Sequence, residues 1–253
     1  MAVACEKKER VFWITWDRPP LNVFDVTLLR ELDRLLAECA ADSTADVVVL
    51  RGAGARAFSA GVDIKDHTVE KVPEMLAVVH GVIKKLLALP QVTVAAVRGA
   101  CLGGGCELAS SCDFIVASEQ SSFATPEILV GCYPPVALAR FSQLIGYHRA
   151  AEMILTGRRL NAREAQAFGL VNRVFVEDEL AAGVQRLLDE LLGKSGAVLR
   201  LTVKGLRELA LSGFNEALKR SEEIYCHQLL KTRDVEEGVK AFLEKRPPNW
   251  THR

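Results

Sequence analysis

Apolar runs and helical periodicities alternate through the first two thirds of the chain. "RVFWITWDRP" alternates as a half-buried strand does, while "ADVVVLRGAG", "QVTVAAVRGACLGGG" and "CDFIVASE" contain continuous apolar runs typical of buried strands. Between them, "FDVTLLRELDRLLAECAAD" carries leucines at helical spacing after Asp25, a good N-cap residue, and "PEMLAVVHGVIKKLLALP" is also helical. Strands that are apolar on both faces and separated by helices predict βαβ units and a sheet covered on both sides.

The last third of the chain has a different pattern. From "LARFSQLIGYHRAAEMILTGRRLNAREAQAFG" onward the periodicity is helical, interrupted by one predicted strand, "LVNRVF". No Gly/Ser-rich or Pro-rich linker separates the two parts. We therefore expect an α/β core over residues 1–190 and a helical C-terminal region over residues 191–253.

Composition narrows the class of partner and the compartment. Lysine plus arginine equals aspartate plus glutamate at 32 each, so no net field attracts nucleic acid or an anionic membrane. No apolar run approaches the roughly 20 residues that a membrane span needs. The seven cysteines include no C-x-x-C pair and no accompanying histidine cluster, which suggests small buried side chains in a reducing compartment. We expect a cytoplasmic protein with no nucleic-acid, membrane or metal partner.

The run Gly103–Gly105 carries the first candidate chemistry. A phosphate-binding loop would follow it with a lysine and a hydroxyl residue, but Cys106 and Glu107 stand there, and a dinucleotide fingerprint would need glycine in place of Leu108. What remains is a turn from strand to helix with bare backbone amides, which could stabilise a developing negative charge. A second glycine-bearing turn, "RAFSAGVDIKD", could add an amide near Val62. From the run alone, a tight turn that only permits close packing explains the glycines equally well.

Two acids and two histidines are further candidates, each with a structural explanation. In "SSFATPEILVG", Thr125 is a plausible N-cap, proline suits the first helical position, and Glu127 would favour the helix dipole. Glu107 also fits the first turn of a helix. His67 and His80 could face a site, but no acid is spaced to orient them, so packing or surface roles are favoured.

The combination of motifs is more specific than its parts. "AFSAGVDIKD", "GACLGGGCELASSCDF" and "FATPEILVG", in this order and spacing, resemble the enoyl-CoA hydratase/isomerase superfamily, also called the crotonase superfamily. The similarity extends to "AAEMILTGRRLNAREAQAFGLVNRVF" and "EGVKAFLEKRPPNW", so it covers nearly the whole chain. It implies a crotonase-like α/β spiral of ββα units with a helical C-terminal trimerisation region. A homotrimer or homohexamer would use spare apolar positions such as Ile224, Leu229, Leu230 and Phe242.

The resemblance also implies a role for each candidate residue. The amides of Val62 and Gly104 would bind the thioester carbonyl of an acyl-CoA, Glu107 would activate water, and Glu127 would exchange the proton at the α-carbon. Many isomerases of the superfamily keep only one such acid, so the pair favours addition or removal of water. Coenzyme A is then part of the substrate, and no cofactor is required. The remaining predicted substrate-binding residues are Ala60, Asp63, Ile64, Lys65, Tyr133 and Pro134.

One segment departs from the pattern of typical hydratases. Relatives follow the second acid with a glycine-rich stretch ending in Thr-Gln-Arg-Leu, whereas this chain has "GCYPPVALARF", stiffened by two prolines. With "DHTVEKVPEMLAVVHGVIKKLL", this is similar to the cyclic dienoyl-CoA hydratases, for which cyclohexa-1,5-diene-1-carbonyl-CoA is the candidate substrate. A linear short-chain enoyl-CoA hydratase, an isomerase or decarboxylase with the same oxyanion hole, and a non-catalytic RNA-binding or scaffold relative remain open alternatives.

Overall fold

The computed structural model describes residues 2–251, and within them ten strands form two sheets. The larger sheet has the order β1 (Val3–Lys8), β2 (Val11–Trp16), β3 (Val47–Gly52), β5 (Val92–Val97), β7 (Phe114–Ser118) and β10 (Arg173–Phe175). The smaller sheet has the order β4 (Ala57–Ser59), β6 (Ala100–Leu102), β8 (Ser122–Ala124) and β9 (Leu160–Asn161). Neighbouring strands are parallel except for β1 with β2 and β8 with β9.

The chain passes repeatedly between the two sheets. Strands β3, β5 and β7 lie side by side in the larger sheet, and each is followed by a short strand, β4, β6 or β8, in the smaller sheet. Helical segments then return the chain, because parallel neighbours need a crossover connection. This confirms the predicted spiral of ββα units.

The described residues also form ten α-helices. They are α1 (Val26–Ala41), α2 (Val72–Ala88), α3 (Gly104–Ser110), α4 (Pro135–Ile145), α5 (Tyr147–Thr156), α6 (Ala162–Phe168), α7 (Leu180–Leu192), α8 (Gly196–Ala210), α9 (Phe214–His227) and α10 (Arg233–Leu243). Short 3-10 turns include Ile64–Asp66 and Pro126–Val130. Asp25 caps α1 as predicted, since its carboxylate accepts a hydrogen bond from the Leu28 amide at 2.8 Å.

The larger sheet separates two apolar cores. On β3, Val48 and Leu50 belong to the core that also contains residues of α1 and α2, while Val47 and Val49 belong to the core that contains residues of α7. Successive side chains of a strand point to opposite faces, so a continuous apolar run is buried on both. The expectation of a sheet covered on both sides is confirmed.

The sequence analysis did not identify every strand. The charged N-terminal segment forms β1, an edge strand whose Glu6, Lys7 and Lys8 are exposed, so burial does not impose an apolar pattern on them. Strands β4, β6, β8 and β9 have only two or three residues, too few for a recognisable period.

The C-terminal region is helical through Leu243 except for short connections, and it folds back on the core of its own chain. Helix α9 packs against α4 and α2, which brings it to the site described below. The boundary predicted at residue 190 falls within α7, and the division into two regions stays a prediction. In the described part of the chain, no helix has the length and apolar character to cross a bilayer.

Candidate active site

A cavity of about 730 Å³ lies where the turns after β4 and β6 meet α2, the turn after β8 and α9. Nine of the predicted site residues line it: Ala60, Val62, Asp63, Ile64, Gly104, Glu107, Glu127, Tyr133 and Pro134. Lys65 is exposed on the 3-10 turn beside the cavity, where its amide donates to Oδ1 of Asp63 at 3.1 Å. The fold therefore brings together residues separated by more than seventy positions, and the contact of Lys65 with substrate stays a prediction.

Two backbone amides are available at the junction of the glycine-bearing turns. In the parallel bridge between Phe24 and Val62, the Phe24 amide donates to Gly61 O and the Asp63 amide donates to Phe24 O, each at 2.8 Å. The Val62 amide takes no part in that bridge. Gly104 is the first residue of α3, so its amide has no acceptor within the helix. A Cβ on Gly104 would lie 3.7 Å from Val62 N, so the two turns pack against each other at this point.

The first glycine of the run is required by its own geometry. Gly103 has φ +53°, a conformation that L side chains rarely adopt, and a Cβ there would lie 2.7 Å from Oε1 of Glu127. The glycine run thus both makes a tight turn and allows a carboxyl group to rest against it. The tight turn with close packing is therefore present, and the role of the bare amides as an oxyanion hole stays a prediction.

Glu107 projects from the first turn of α3 and is only 3 % exposed. Its Oε1 accepts a hydrogen bond from the Ala137 amide, at the beginning of α4, at 2.9 Å. Burial raises the pKa of Glu107, and the Ala137 amide and the nearby His80 oppose that rise. The carboxyl group is therefore held in one orientation beside the cavity.

Glu127 lies on the 3-10 turn Pro126–Val130, and its Oε2 is buried without a hydrogen-bond partner among residues 2–251. Burial first, and then the charge of Glu107, raise the pKa of Glu127 well above its ordinary value. Repulsion between the two carboxylates therefore disfavours the ionisation of both at once. Thr125 occupies the N-cap position of this turn, but the expectation that its side chain caps the turn is wrong, because its hydroxyl makes no capping hydrogen bond.

Aromatic side chains form a stiff wall of the cavity. The Tyr133 hydroxyl donates to Ser221 O at 2.7 Å, and its ring packs edge-to-face on Tyr225 with centroids 5.0 Å apart. Tyr225 is buried and also lines the cavity. Sequence analysis missed Tyr225, since a tyrosine in a helical segment carries no signal of the distant loop that it contacts.

Both candidate histidines line the cavity. His67 Nδ1 lies 3.1 Å from Asp63 O, and burial lowers the pKa of His67. For His80 the expectation that no acid orients it is wrong, because Glu222 of α9, remote in sequence, lies against its ring. In the described part of the chain, no group of three or more His, Cys, Asp or Glu side chains is arranged to hold a metal ion.

Comparisons with a family model, with related sequences and with solved structures all indicate the same family. The family model of enoyl-CoA hydratase/isomerase matches residues 6–253. A probable enoyl-CoA hydratase of Mycobacterium tuberculosis is 34 % identical over 99 % of this chain and 98 % of its own length. The cyclohexa-1,5-dienecarbonyl-CoA hydratase of Thauera aromatica is 30 % identical over 93 % of this chain and 91 % of its own. The crystal structure of an enoyl-CoA hydratase from Mycobacterium avium subsp. paratuberculosis superposes with a TM-score of 0.90 at 31 % identity, covering 99 % of both chains.

Proposed function

Because the chain belongs to the enoyl-CoA hydratase/isomerase family, we propose that it adds water to an α,β-unsaturated acyl-CoA with a flat cyclic acyl group, such as cyclohexa-1,5-diene-1-carbonyl-CoA. The observation that carries the proposal is the meeting of two buried glutamates and two available amides in one cavity. In this proposal Glu107 removes a proton from water and Glu127 delivers a proton to the substrate, as hydration requires.

The first step is the attack of water on the β-carbon. The Val62 and Gly104 amides donate to the thioester oxygen, so that electrons of the double bond can move toward it as an enolate forms. Glu107 takes a proton from the water as its oxygen bonds to the β-carbon. Stabilisation of the enolate is the main demand, since an alkene that is not conjugated to a carbonyl does not readily add water.

The second step returns the proton. Glu127 gives its proton to the α-carbon, the enolate electrons form the new C–H bond, and the thioester carbonyl is restored. The proton on Glu107 then passes to Glu127 through solvent or the product hydroxyl, which resets both groups. The same path in reverse eliminates water.

Coenzyme A serves as the handle of the substrate in this proposal. Arg18 and Arg159 are cationic residues at the cavity and offer partners for the phosphates of coenzyme A. The charge that develops on the carbonyl oxygen is met by backbone amides, so the reaction as proposed needs no separate cofactor. A cytoplasmic site of action stays a prediction.

The preference for a ring rests on the rigidity of the aromatic wall. Tyr133 is held by Ser221 at its hydroxyl and by Tyr225 at its ring, and Pro134 and Pro135 restrict the backbone that follows. A rigid wall favours a flat ring over a flexible chain, because the chain loses rotational freedom on binding. The name of the Thauera aromatica relative supports the same substrate class.

Substrate preference is the direct test. We expect kcat/KM for cyclohexa-1,5-diene-1-carbonyl-CoA to exceed that for crotonyl-CoA by about 10-fold, the effect of roughly 1.4 kcal/mol. Tyr133→Ala should narrow the gap, whereas Tyr147→Ala, which removes a tyrosine that is 72 % exposed, should leave it unchanged. Both prolines stay in place in this variant, because Pro135 begins the helix whose Ala137 amide holds Glu107.

A clear preference for crotonyl-CoA would contradict the proposed cyclic substrate and indicate a linear enoyl-CoA hydratase. Turnover to a shifted double bond or loss of carbon dioxide, without hydration, would favour an isomerase or decarboxylase. RNA binding without turnover of any thioester would favour the non-catalytic alternative.

We also propose a homotrimer or homohexamer. The apolar positions that would form its interface differ in part from those expected from the sequence. Leu229 and Leu230 pack against the chain's own core and Ile224 is partly buried, so these are not spare surface as expected. Phe242 is exposed, and α8 displays a stripe of exposed apolar side chains: Val198, Leu201, Leu206 and Leu209. Burial of such a stripe would provide the free energy of association.

Light scattering should therefore give a mass three or six times that of the single chain. Leu201→Glu together with Leu209→Glu should lower the mass by placing charges in the interface. A wild-type monomer at micromolar concentration would contradict the proposal.

A further inference from the structure

His80 is held in place by an acid from the C-terminal helical region. It lies on α2, is 1 % exposed, and its Nδ1 is 2.6 Å from Oε1 of Glu222 on α9. The hydrogen bond to His80 is the main cause that lowers the pKa of Glu222, so the carboxyl group is ionised and can only accept. Nδ1 therefore carries the proton of this bond, and the ring has one orientation and one tautomer.

The other ring nitrogen has no protein partner. His80 Nε2 is buried and, among the described residues, makes no hydrogen bond, although the side chain lines the cavity. Burial of an unpaired polar nitrogen costs free energy, and native structures rarely leave one without a reason. A partner that enters the cavity with the substrate would satisfy it.

His80 also acts on the same region of the cavity as the proposed base. Both side chains line the cavity, and Glu107 interacts electrostatically with His80, so the imidazole lies close to that carboxyl group. A water molecule between them has two O–H bonds. If Glu107 accepts one and Nε2 accepts the other, a lone pair of the water oxygen is left for the β-carbon.

We propose that His80, oriented by Glu222, hydrogen-bonds the oxygen that adds to the β-carbon, first as water and then as the product hydroxyl. The inference rests on the proposed hydration and assigns His80 to the reacting water, with Glu222 as its positioning residue. No additional bond is made or broken: the proton of the water still goes to Glu107, and the α-proton still comes from Glu127.

The experiment compares hydration with a reaction that needs no water at the β-carbon. A saturated thioester, butyryl-CoA, can exchange its α-proton with deuterium oxide by means of Glu127 and the two amides alone. His80→Leu should lower kcat for hydration by about 10²-fold, as loss of positioning at a reacting atom does, with little change in KM or in the rate of exchange. Glu222→Gln should give a smaller loss, and the double variant should be no worse than His80→Leu alone.

The matched control removes a different tether of the same helix. Lys85 of α2 pairs with Asp33 of α1 at 2.6 Å, away from the cavity, so Lys85→Met tests the loss of an interhelical ion pair by itself. It should retain wild-type hydration. If His80→Leu fails to fold by circular dichroism, His80→Asn serves in its place and should show the same split between hydration and exchange.

Two results would overturn the inference while the proposed function stands: wild-type hydration in folded His80 variants, or equal losses of hydration and exchange, which would indicate a structural tether. A wild-type protein that hydrates no enoyl thioester would instead overturn the proposed function, and this inference with it.

Discussion

Glu127→Gln and Glu107→Gln are each expected to lower kcat for hydration by about 10²- to 10⁴-fold, the usual contribution of a positioned acid or base. Glutamine keeps the shape of each side chain, and at position 107 its carbonyl oxygen can still accept from the Ala137 amide. Neither amide can hold or release the transferred proton. Initial rates with the preferred thioester measure both losses.

The pattern across the two variants separates hydration from its closest rival. Hydration needs both acids, whereas the one-acid chemistry of an isomerase needs only one. Retained turnover in Glu107→Gln, with turnover abolished in Glu127→Gln, would contradict the roles assigned here and favour isomerisation.

Thermal stability provides the control for folding, with a sign set by the pKa of Glu127. Burial and the charge of Glu107 raise that pKa, so above about pH 4.5 the unfolded chain releases a proton that the folded state still holds. The protein is therefore most stable, as far as this group is concerned, below pH 4.5, and loses that stability as the pH rises through the raised pKa. Because glutamine does not ionise, Tm of Glu127→Gln relative to wild type should increase with pH over the same range.

Gly104→Val is expected to lower kcat by about 10³-fold or more, the upper range for loss of one oxyanion-hole donor. A Cβ at this position would lie 2.9 Å from Cγ2 of Val62 and 3.7 Å from its amide nitrogen. The branched side chain would therefore occupy the place of the thioester oxygen and push the two turns apart. Alternate substrates should all be affected, because every thioester presents the same carbonyl.

A second glycine provides the matched control for this substitution. Gly81, within α2, does not line the cavity and has open space around it among the described residues, so Gly81→Val makes the same chemical change away from the two amides. Gly104→Ala is the milder variant if valine prevents folding. Wild-type turnover in a folded Gly104→Val protein would refute the assignment of the oxyanion hole.

Features that depend on neighbours along the chain could be predicted from the residues alone. The capping of α1 by Asp25, the buried strand β3 and the turn at Gly103–Gly105 each follow from local patterns of side-chain size, polarity and backbone freedom. The motif order was specific enough to indicate the family and the candidate site residues. Short strands such as β4 could not be predicted, because three residues do not define a hydrophobic period.

The contacts among the site residues, in contrast, depend on the tertiary fold. Glu222 orients His80 and Tyr225 supports Tyr133 across long stretches of sequence, and no spacing rule relates such positions. The different environments of Glu107 and Glu127 likewise arise only in the fold: burial raises the pKa of both, the Ala137 amide opposes the rise at Glu107, and the charge of Glu107 adds to the rise at Glu127. Local patterns therefore determine which elements form, whereas desolvation and long-range contacts determine what their side chains do.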